Sequence, residues 1–450
     1  MNRPRNVLLQ HSDPREPVVM EFQHTLGGAL LRHSLEVHQS PDDETWPGGA
    51  LWDCGVLLSQ LLLGLAGIED MTLRSTFLEE ETTCHIVPNK DNISNNASRN
   101  GKQRKNASNN NNSTDHLIKK SNKKLQSRTT TQIATRLKDW IQQTSQKKKT
   151  TPSYLQTWKE TVEEVLCRTP QLRVLELGCG VGLTGLVASV ALGSVTTILT
   201  DLTGVVDALT VTNVERNAQA ASSGGSNSYK KNKPCKSASF SFPDRLSRGG
   251  KYPCRSIRHF KGVGNVLSMP LCWGNVQEGQ QVLDTFAFLQ PFAPSESPSK
   301  GGTSKGRHNK VESNDTKKTA GANSFDEEDA LQSTGRHRYP HLILLGDVAY
   351  QHKPGAPSHF DILVETLQQC MPPIEEKSTS LLLQQQQQRS PTLLLFGTRL
   401  RMPASMDLLL LLQEHFHPVL PEPIPAHVLD PALRAVKHNM TIHIFTNKSV

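Results

Sequence analysis

The chain has 450 residues, only 36% hydrophobic and 5% aromatic, and a formal net charge of +8. That apolar share is too low for a chain buried throughout, so the length points to folded sequence interrupted by polar tracts rather than to three packed domains. The basic excess collects in tracts such as Lys102 to Lys149, which favours solvated chain over a nucleic-acid-binding face.

No apolar run approaches the ~20 residues that a bilayer requires, and no signal peptide opens the chain. The cysteines (Cys54, Cys84, Cys167, Cys179, Cys235, Cys254, Cys272 and Cys370) form no C-x-x-C pair, and neither they nor the histidines show metal-ligand spacing. The expectation is an intracellular chain with reduced thiols, no metal and no membrane contact, placed in the cytoplasm with the nucleus as a second compartment.

Val18-Val19-Met20-Glu21-Phe22 and the run Leu30 to Val37 alternate on either side of Gly27-Gly28, a hairpin pattern. Gly48-Gly49-Ala50-Leu51-Trp52-Asp53-Cys54-Gly55 then leads into an apolar helix through Leu65. Trp52 reads either as a packing anchor or as a ligand contact. Residues 1–70 are thus expected to be a hairpin and helix packed on a main domain spanning 155–450. Between them, Asn, Lys and Ser dominate, so 89–150 is expected to be a disordered basic insertion. A helix over Leu155 to Cys167 stops at Thr169-Pro170.

The stretch Leu172 to Asp201 is the most informative. It reads as a buried strand to Leu177, a glycine turn (Gly178-Cys179-Gly180-Val181-Gly182), a helix to about Leu192 and a second strand ending on Asp201. Glycines let the backbone approach a ligand, the helix start offers free N–H groups, and an acid about twenty residues beyond the turn suits a ribose. The order of these parts makes a nucleoside-binding βαβ unit. A dinucleotide site would want G-x-G-x-x-G. The tighter G-x-G-x-G opened by Glu176 is similar instead to the S-adenosylmethionine loop of class I methyltransferases, where an acidic group suits a cationic amino acid end.

Val205 to Gln219 reads as a crossover helix, Ser222 to about Arg258 as a mobile insertion, and Asn265 to Leu271 as a third strand ending in Cys272-Trp273-Gly274. Further insertions are placed at about 295–338 and 376–391. The buried strand His341 to Gly346 delivers Asp347-Val348-Ala349-Tyr350, and a helical pattern runs from Phe360 to Met371. Thr392 to Thr398 is another buried strand, Met406 to Phe416 a helix and Met440 to Phe445 the last strand. Every polar tract falls between elements, as one α/β domain with loop insertions requires.

Leu51-Trp52-Asp53, Glu176 to Gly182, Thr200-Asp201, Leu271 to Gly274, Gly346 to Tyr350 and Thr398-Arg399-Leu400-Arg401 together resemble the protein lysine methyltransferases with a seven-stranded Rossmann-like sheet, methyltransferase family 16. These modify non-histone targets such as chaperones, ATPases and translation factors. The resemblance implies helices on both faces and an antiparallel last strand beside the fifth. It also implies S-adenosylmethionine over the strand C-termini: Trp52, Gly178, Cys179 and Gly180 at its methionine end, Asp201 at the ribose, Trp273 at the adenine and Gly346 beneath the sulfonium, with Glu176 and Gly182 as further cofactor-binding residues.

Asp347 and Tyr350 would serve the acceptor, the first orienting or deprotonating an ε-ammonium and the second walling its passage. Enzymes acting on base amines resemble one another in an Asn/Asp-Pro-Pro-Tyr/Phe turn here, and Val348-Ala349 supplies no such prolines. Arg399 and Arg401 flank a helix start and read as structural or surface residues. A nucleic-acid or small-amine acceptor, a histidine acceptor and a non-catalytic interaction module remain open alternatives, and the chain is expected to act as a monomer on a protein substrate.

Overall fold

The computed structural model describes residues 16–26, 29–40, 49–75, 127–147, 154–169, 171–193, 196–222, 254, 256–260, 264–289, 338–349, 359–372, 391–399, 403–435 and 440–447. Tyr350, Arg401 and all but the last residue of each of the insertions expected at about 295–338 and 376–391 lie outside them.

Two sheets form. The smaller has the order β2-β1-β3-β4, with β1 (Val18–Leu26), β2 (Ala29–Val37), β3 (Met71–Ser75) and β4 (Ser127–Thr130) all antiparallel to their neighbours. The larger runs β11-β13-β10-β9-β5-β6-β8-β7. Its centre is parallel: β5 (Arg173–Leu177), β6 (Thr196–Asp201), β8 (Gly264–Pro270), β9 (Leu342–Gly346) and β10 (Leu393–Arg399). The edges are antiparallel, with β7 (Ser256–Phe260) on β8 and β13 (Met440–Asn447) on β10, while the short β11 (Phe416–Pro418) and β12 (Ile424–Pro425) both pair with β13.

Burial on both faces explains the continuous apolar strands. Alternate side chains of β5, β9 and β10 feed two cores. Val174, Leu342, Leu344, Leu393 and Leu395 join the core shared with the helix Asp53–Leu65, the smaller sheet and the helix Leu183–Ala191. Leu175, Leu177, Ile343, Leu345, Leu394 and Phe396 join the other, covered by the helices Val276–Phe288, Phe360–Cys370 and Pro403–His415. The molecule is a mixed, Rossmann-like α/β protein. Among the described residues no helix is long and apolar enough to cross a membrane.

Composition misled over the last third of the basic tract. The expectation of disorder through 150 gives way to β4 and the helix Ile133–Lys147, which buries Ile133, Leu137, Ile141 and Thr144 along one face. Polar anchors hold the segment: Arg128 Nη2 donates to buried Asp430 at 2.5 Å, and Arg136 reaches the carbonyls of Val428 at 3.0 Å and Leu429 at 2.6 Å. Similarly, the presumed mobile stretch ending at Arg258 closes with β7, whose ladder to β8 begins at Ser256. The helix Val276–Phe288, unforeseen, starts with an Asn275 cap that accepts from the Glu278 N–H at 3.2 Å.

One buried ion pair ties the two ends of the fold together. Asp53 opens the first helix, Arg399 closes β10, and Arg399 Nη1 lies 3.3 Å from Asp53 Oδ2 with side chains 5% and 1% exposed. Arg399 is therefore structural. Removing one partner of such a pair leaves an uncompensated buried charge. Asp53→Ala is expected to cost about 3–5 kcal/mol in denaturant unfolding, on the scale of broken buried pairs. Arg399→Met in that background should recover part of the loss.

Candidate functional site

The site is built at the C-terminal ends of β5, β6, β8 and β9, where open α/β sheets gather their ligand groups. Three glycines of the turn after β5 have left-handed backbones: Gly178 at φ +66°, Gly180 at +53° and Gly182 at +80°. Gly178 shows why a side chain is excluded. A Cβ there would stand 3.1 Å from Val348 Cγ1 and 3.6 Å from Trp273 Cζ2. The bare face of the loop thus meets the half-buried indole after β8 and the turn after β9.

Asp201 faces the loop from the end of β6. Its Oδ2 accepts the Gly180 N–H at 2.8 Å and its Oδ1 the Leu202 N–H at 2.7 Å. Burial raises its carboxyl above the ordinary range, opposed by those two backbone bonds. The Asp201 carbonyl also accepts the Leu271 N–H at 2.9 Å, which fixes the strand end that delivers Cys272, Trp273 and Gly274. Cys272 is exposed. The Gly274 N–H donates to Thr366 Oγ1 at 2.8 Å.

Glu176 lies elsewhere. Its carboxylate is 3% exposed and accepts the Gly185 N–H at 2.9 Å, under the first turn of the loop's helix. It stands beneath the loop's helix and within reach of the Asp201 charge. Cys179 is buried, its Sγ 3.6 Å from Thr210 Oγ1. Burial, with the Asp201 and Glu176 carboxylates nearby, pushes its thiol well above the usual range, so it is a protonated packing residue.

Trp52 is half-buried and precedes the first helix in an extended conformation (φ −92°, ψ 150°). Three residues on, Gly55 Cα would lie 3.6 Å from a Cβ on Gly346, so the first helical turn covers the end of β9. Thr184 Oγ1 donates to the Gly55 carbonyl at 3.3 Å and joins this turn to the glycine-loop helix. Beyond Gly346, Asp347 has φ +53° and donates its N–H to the Gly397 carbonyl at 2.9 Å. A left-handed non-glycine residue is uncommon and gathers at functional turns, and Asp tolerates it better than most. Val348 next to it is 8% exposed.

Sequence reasoning missed Thr210, Asn213 and Asn217. They lie on the helix over residues 203–222, whose second turn widens to π geometry at Val206–Thr210. All three are buried, at 0%, 0% and 3% exposure, on the face that the apolar pattern assigned to the core. Thr210 Oγ1 donates to the Gly180 carbonyl at 2.8 Å, and Asn213 Nδ2 to that of Val181 at 2.9 Å. The available signal was a polar residue at i, i+3 and i+7 within a buried stripe. Such groups are buried only when bonded.

Burial lifts the Glu176 carboxyl from its ordinary 4.5 to about 8, against a lowering bond from Gly185. The folded chain then keeps a proton that the unfolded chain releases, so this group's stabilisation is complete below about 4.5 and lost as pH rises towards 8. The slope is at most about 1.4 kcal/mol per pH unit. Glu176→Gln keeps an acceptor for Gly185. Denaturant unfolding at pH 5.5, 7 and 8.5 should show wild type losing stability relative to this variant as pH rises.

Residues 119–227 match the family model described as lysine methyltransferase. The match contains the glycine loop, Glu176, Asp201 and the helix bearing Thr210 and Asn213. A search of curated proteins finds no match. With its parallel sheet centre and glycine loop, the chain is similar over this stretch to the lysine methyltransferase family.

Proposed function

We propose that this protein transfers a methyl group from S-adenosylmethionine to a lysine ε-amine of a non-histone protein, of the chemical kind that chaperones, ATPases and translation factors represent. One observation carries the reading. Gly178 lies against Trp273 and Val348, with 3.6 and 3.1 Å to a would-be Cβ, so the glycine loop and the turn after β9 converge at one place. That convergence, and a carboxylate at Asp201 with lone pairs beyond its two backbone bonds, suit an amino acid and ribose without phosphate.

S-adenosylmethionine supplies an electrophilic methyl on a sulfonium, and transfer to an amine needs no covalent enzyme intermediate. The chain's own contribution is then positioning and exclusion of water. In this reading Gly178, Gly180 and Trp52 hold the methionine end, Asp201 the ribose, Trp273 the adenine and Gly346 the floor beneath the sulfonium. Glu176 and Cys179 support the loop from below. Asp347 orients the ε-ammonium and accepts its proton, since only the neutral amine attacks. Tyr350 is the expected wall of the lysine passage.

Val348-Ala349 in place of two prolines favours a flexible amine over a planar base amine. Engagement of Arg128 and Arg136 within the fold also removes part of the basic tract that motivated a nucleic-acid reader. We read β8, β6, β5, β9, β10, β13 and the short β11 as the family's seven strands, with β7 and β12 as additions and β1 and β2 as its N-terminal hairpin. Action as a cytoplasmic or nuclear monomer completes the proposal.

Calorimetry should detect S-adenosylmethionine binding, and Asp201→Ala should weaken it by about tenfold or more, the scale of a lost hydrogen bond to a charged group. Tritiated cofactor incubated with a proteome should label lysine residues of protein. Absence of binding overturns the cofactor assignment. Label recovered on nucleic acid or small amines overturns the acceptor.

A further inference from the structure

We infer that Thr210 and Asn213 are positioning residues for the cofactor, setting the glycine loop's conformation and tying it to the segment that presents Trp52. The inference rests on the reading that this loop holds S-adenosylmethionine.

The Asn213 carboxamide is fully buried, and its hydrogen-bonding groups serve two chain segments. On one side Nδ2 donates to the Val181 carbonyl at 2.9 Å. On the other Nδ2 donates to the His38 carbonyl at 3.1 Å and Oδ1 accepts the His38 N–H at 2.9 Å. His38 leads directly towards Trp52. Gln39 Oε1 accepts the Leu51 N–H at 2.8 Å, and the Ser40 N–H donates to the Gly49 carbonyl at 2.7 Å. A single side chain therefore joins the turn of the βαβ unit to the strand exit from which the Trp52 segment hangs.

Thr210, one turn earlier, completes the hold. Its hydroxyl donates to the Gly180 carbonyl at 2.8 Å, while Asp201 accepts the Gly180 N–H at 2.8 Å. Both polar groups of that residue are thus assigned. Glycine peptides resist rotation weakly because no Cβ restricts them. Without these partners the loop would populate several arrangements, and the ligand would bind only the competent fraction.

Asn217 supplies an internal control. It makes the same two-way grip, accepting the Glu36 N–H at 2.9 Å and donating to the Glu36 carbonyl at 2.7 Å. Those partners belong to β2. Its other bond goes to the Asn213 carbonyl at 2.8 Å, within the helix. Loss of Asn217 should loosen the smaller sheet without releasing the loop.

The test uses the full chain and S-adenosylmethionine itself, with three measurements per variant: calorimetric Kd, unliganded Tm, and amide hydrogen exchange at residues 178–182. Thr210→Val, isosteric but without the hydroxyl, should raise Kd by about tenfold and speed loop exchange, while Thr210→Ser stays within about twofold of wild type. Asn213→Ser should behave like Thr210→Val. Asn217→Ser should lower Tm as much as Asn213→Ser does, yet leave Kd within about twofold. If Asn213→Ser does not fold, the Val and Ser pair at Thr210 decides alone.

Unchanged Kd and loop exchange in Thr210→Val overturn the inference. So does an equal loss of affinity in Asn217→Ser, which would make general destabilisation the cause. Wild-type protein that binds no S-adenosylmethionine, with loop exchange still responding to Thr210→Val, removes the cofactor reading and the positioning role towards it, and leaves the loop-holding role intact.

Discussion

A turn made largely of glycine exposes its backbone on the ligand side and must satisfy that backbone from every other side. Most of the architecture around residues 178–182 answers this demand. β6 contributes the Thr200 carbonyl to the Cys179 N–H at 2.9 Å, and Asp201 takes the Gly180 N–H. Cys179 and Gly182 bond across the turn at 2.8 Å. The carbonyls of Gly180 and Val181 go to Thr210 and Asn213. An unpaired amide in this interior would cost several times the net contribution of one hydrogen bond. The loop, the strand end and the crossover helix thus form one unit, and these bonds hold the left-handed conformations of Gly180 and Gly182.

The N-terminal region belongs to this unit as well. The smaller sheet is clasped to the crossover helix by Asn213 and Asn217. The first helix is fixed to the far side of the large sheet by the Asp53–Arg399 pair. Asp430 gathers Arg128 and Thr130 of β4 and Gln60 of the first helix. These contacts place Trp52, Gly55 and the end of β9 in one neighbourhood. The residues gathered around the glycine loop thus come from both ends of the chain.

Electrostatics divides the two acids of the motif by the side on which each lies. Glu176 is enclosed beneath the loop, and burial holds its proton to about pH 8. Asp201 sits at the strand end with two backbone donors, where a carboxylate can still receive hydroxyl groups. Neighbouring strands thus carry one acid that behaves as a neutral brace and one that is available to a ligand. Spacing along the chain does not distinguish them, because β5 and β6 are both buried and both end beside the turn.

The sequence by itself determined the parallel core and the glycine turn, because strand burial and backbone freedom are written in consecutive residues. The run Leu342 to Gly346 could only be a buried strand, and Gly178-Cys179-Gly180-Val181-Gly182 could only be a tight turn ahead of a helix. It also located Asp201, Trp273 and Asp347, each at a strand end. Tertiary structure decided the rest. Composition over 89–150 averaged away Ile133, Leu137 and Ile141, whose helical spacing matters only once a partner surface exists. The i, i+3, i+7 spacing of Thr210, Asn213 and Asn217 marks a buried face but names no partner, and Asn213 finds His38 across 175 positions. Periodicity reports which side of an element is buried, whereas the identity of what it meets is set by chain closure over distances that no local pattern records.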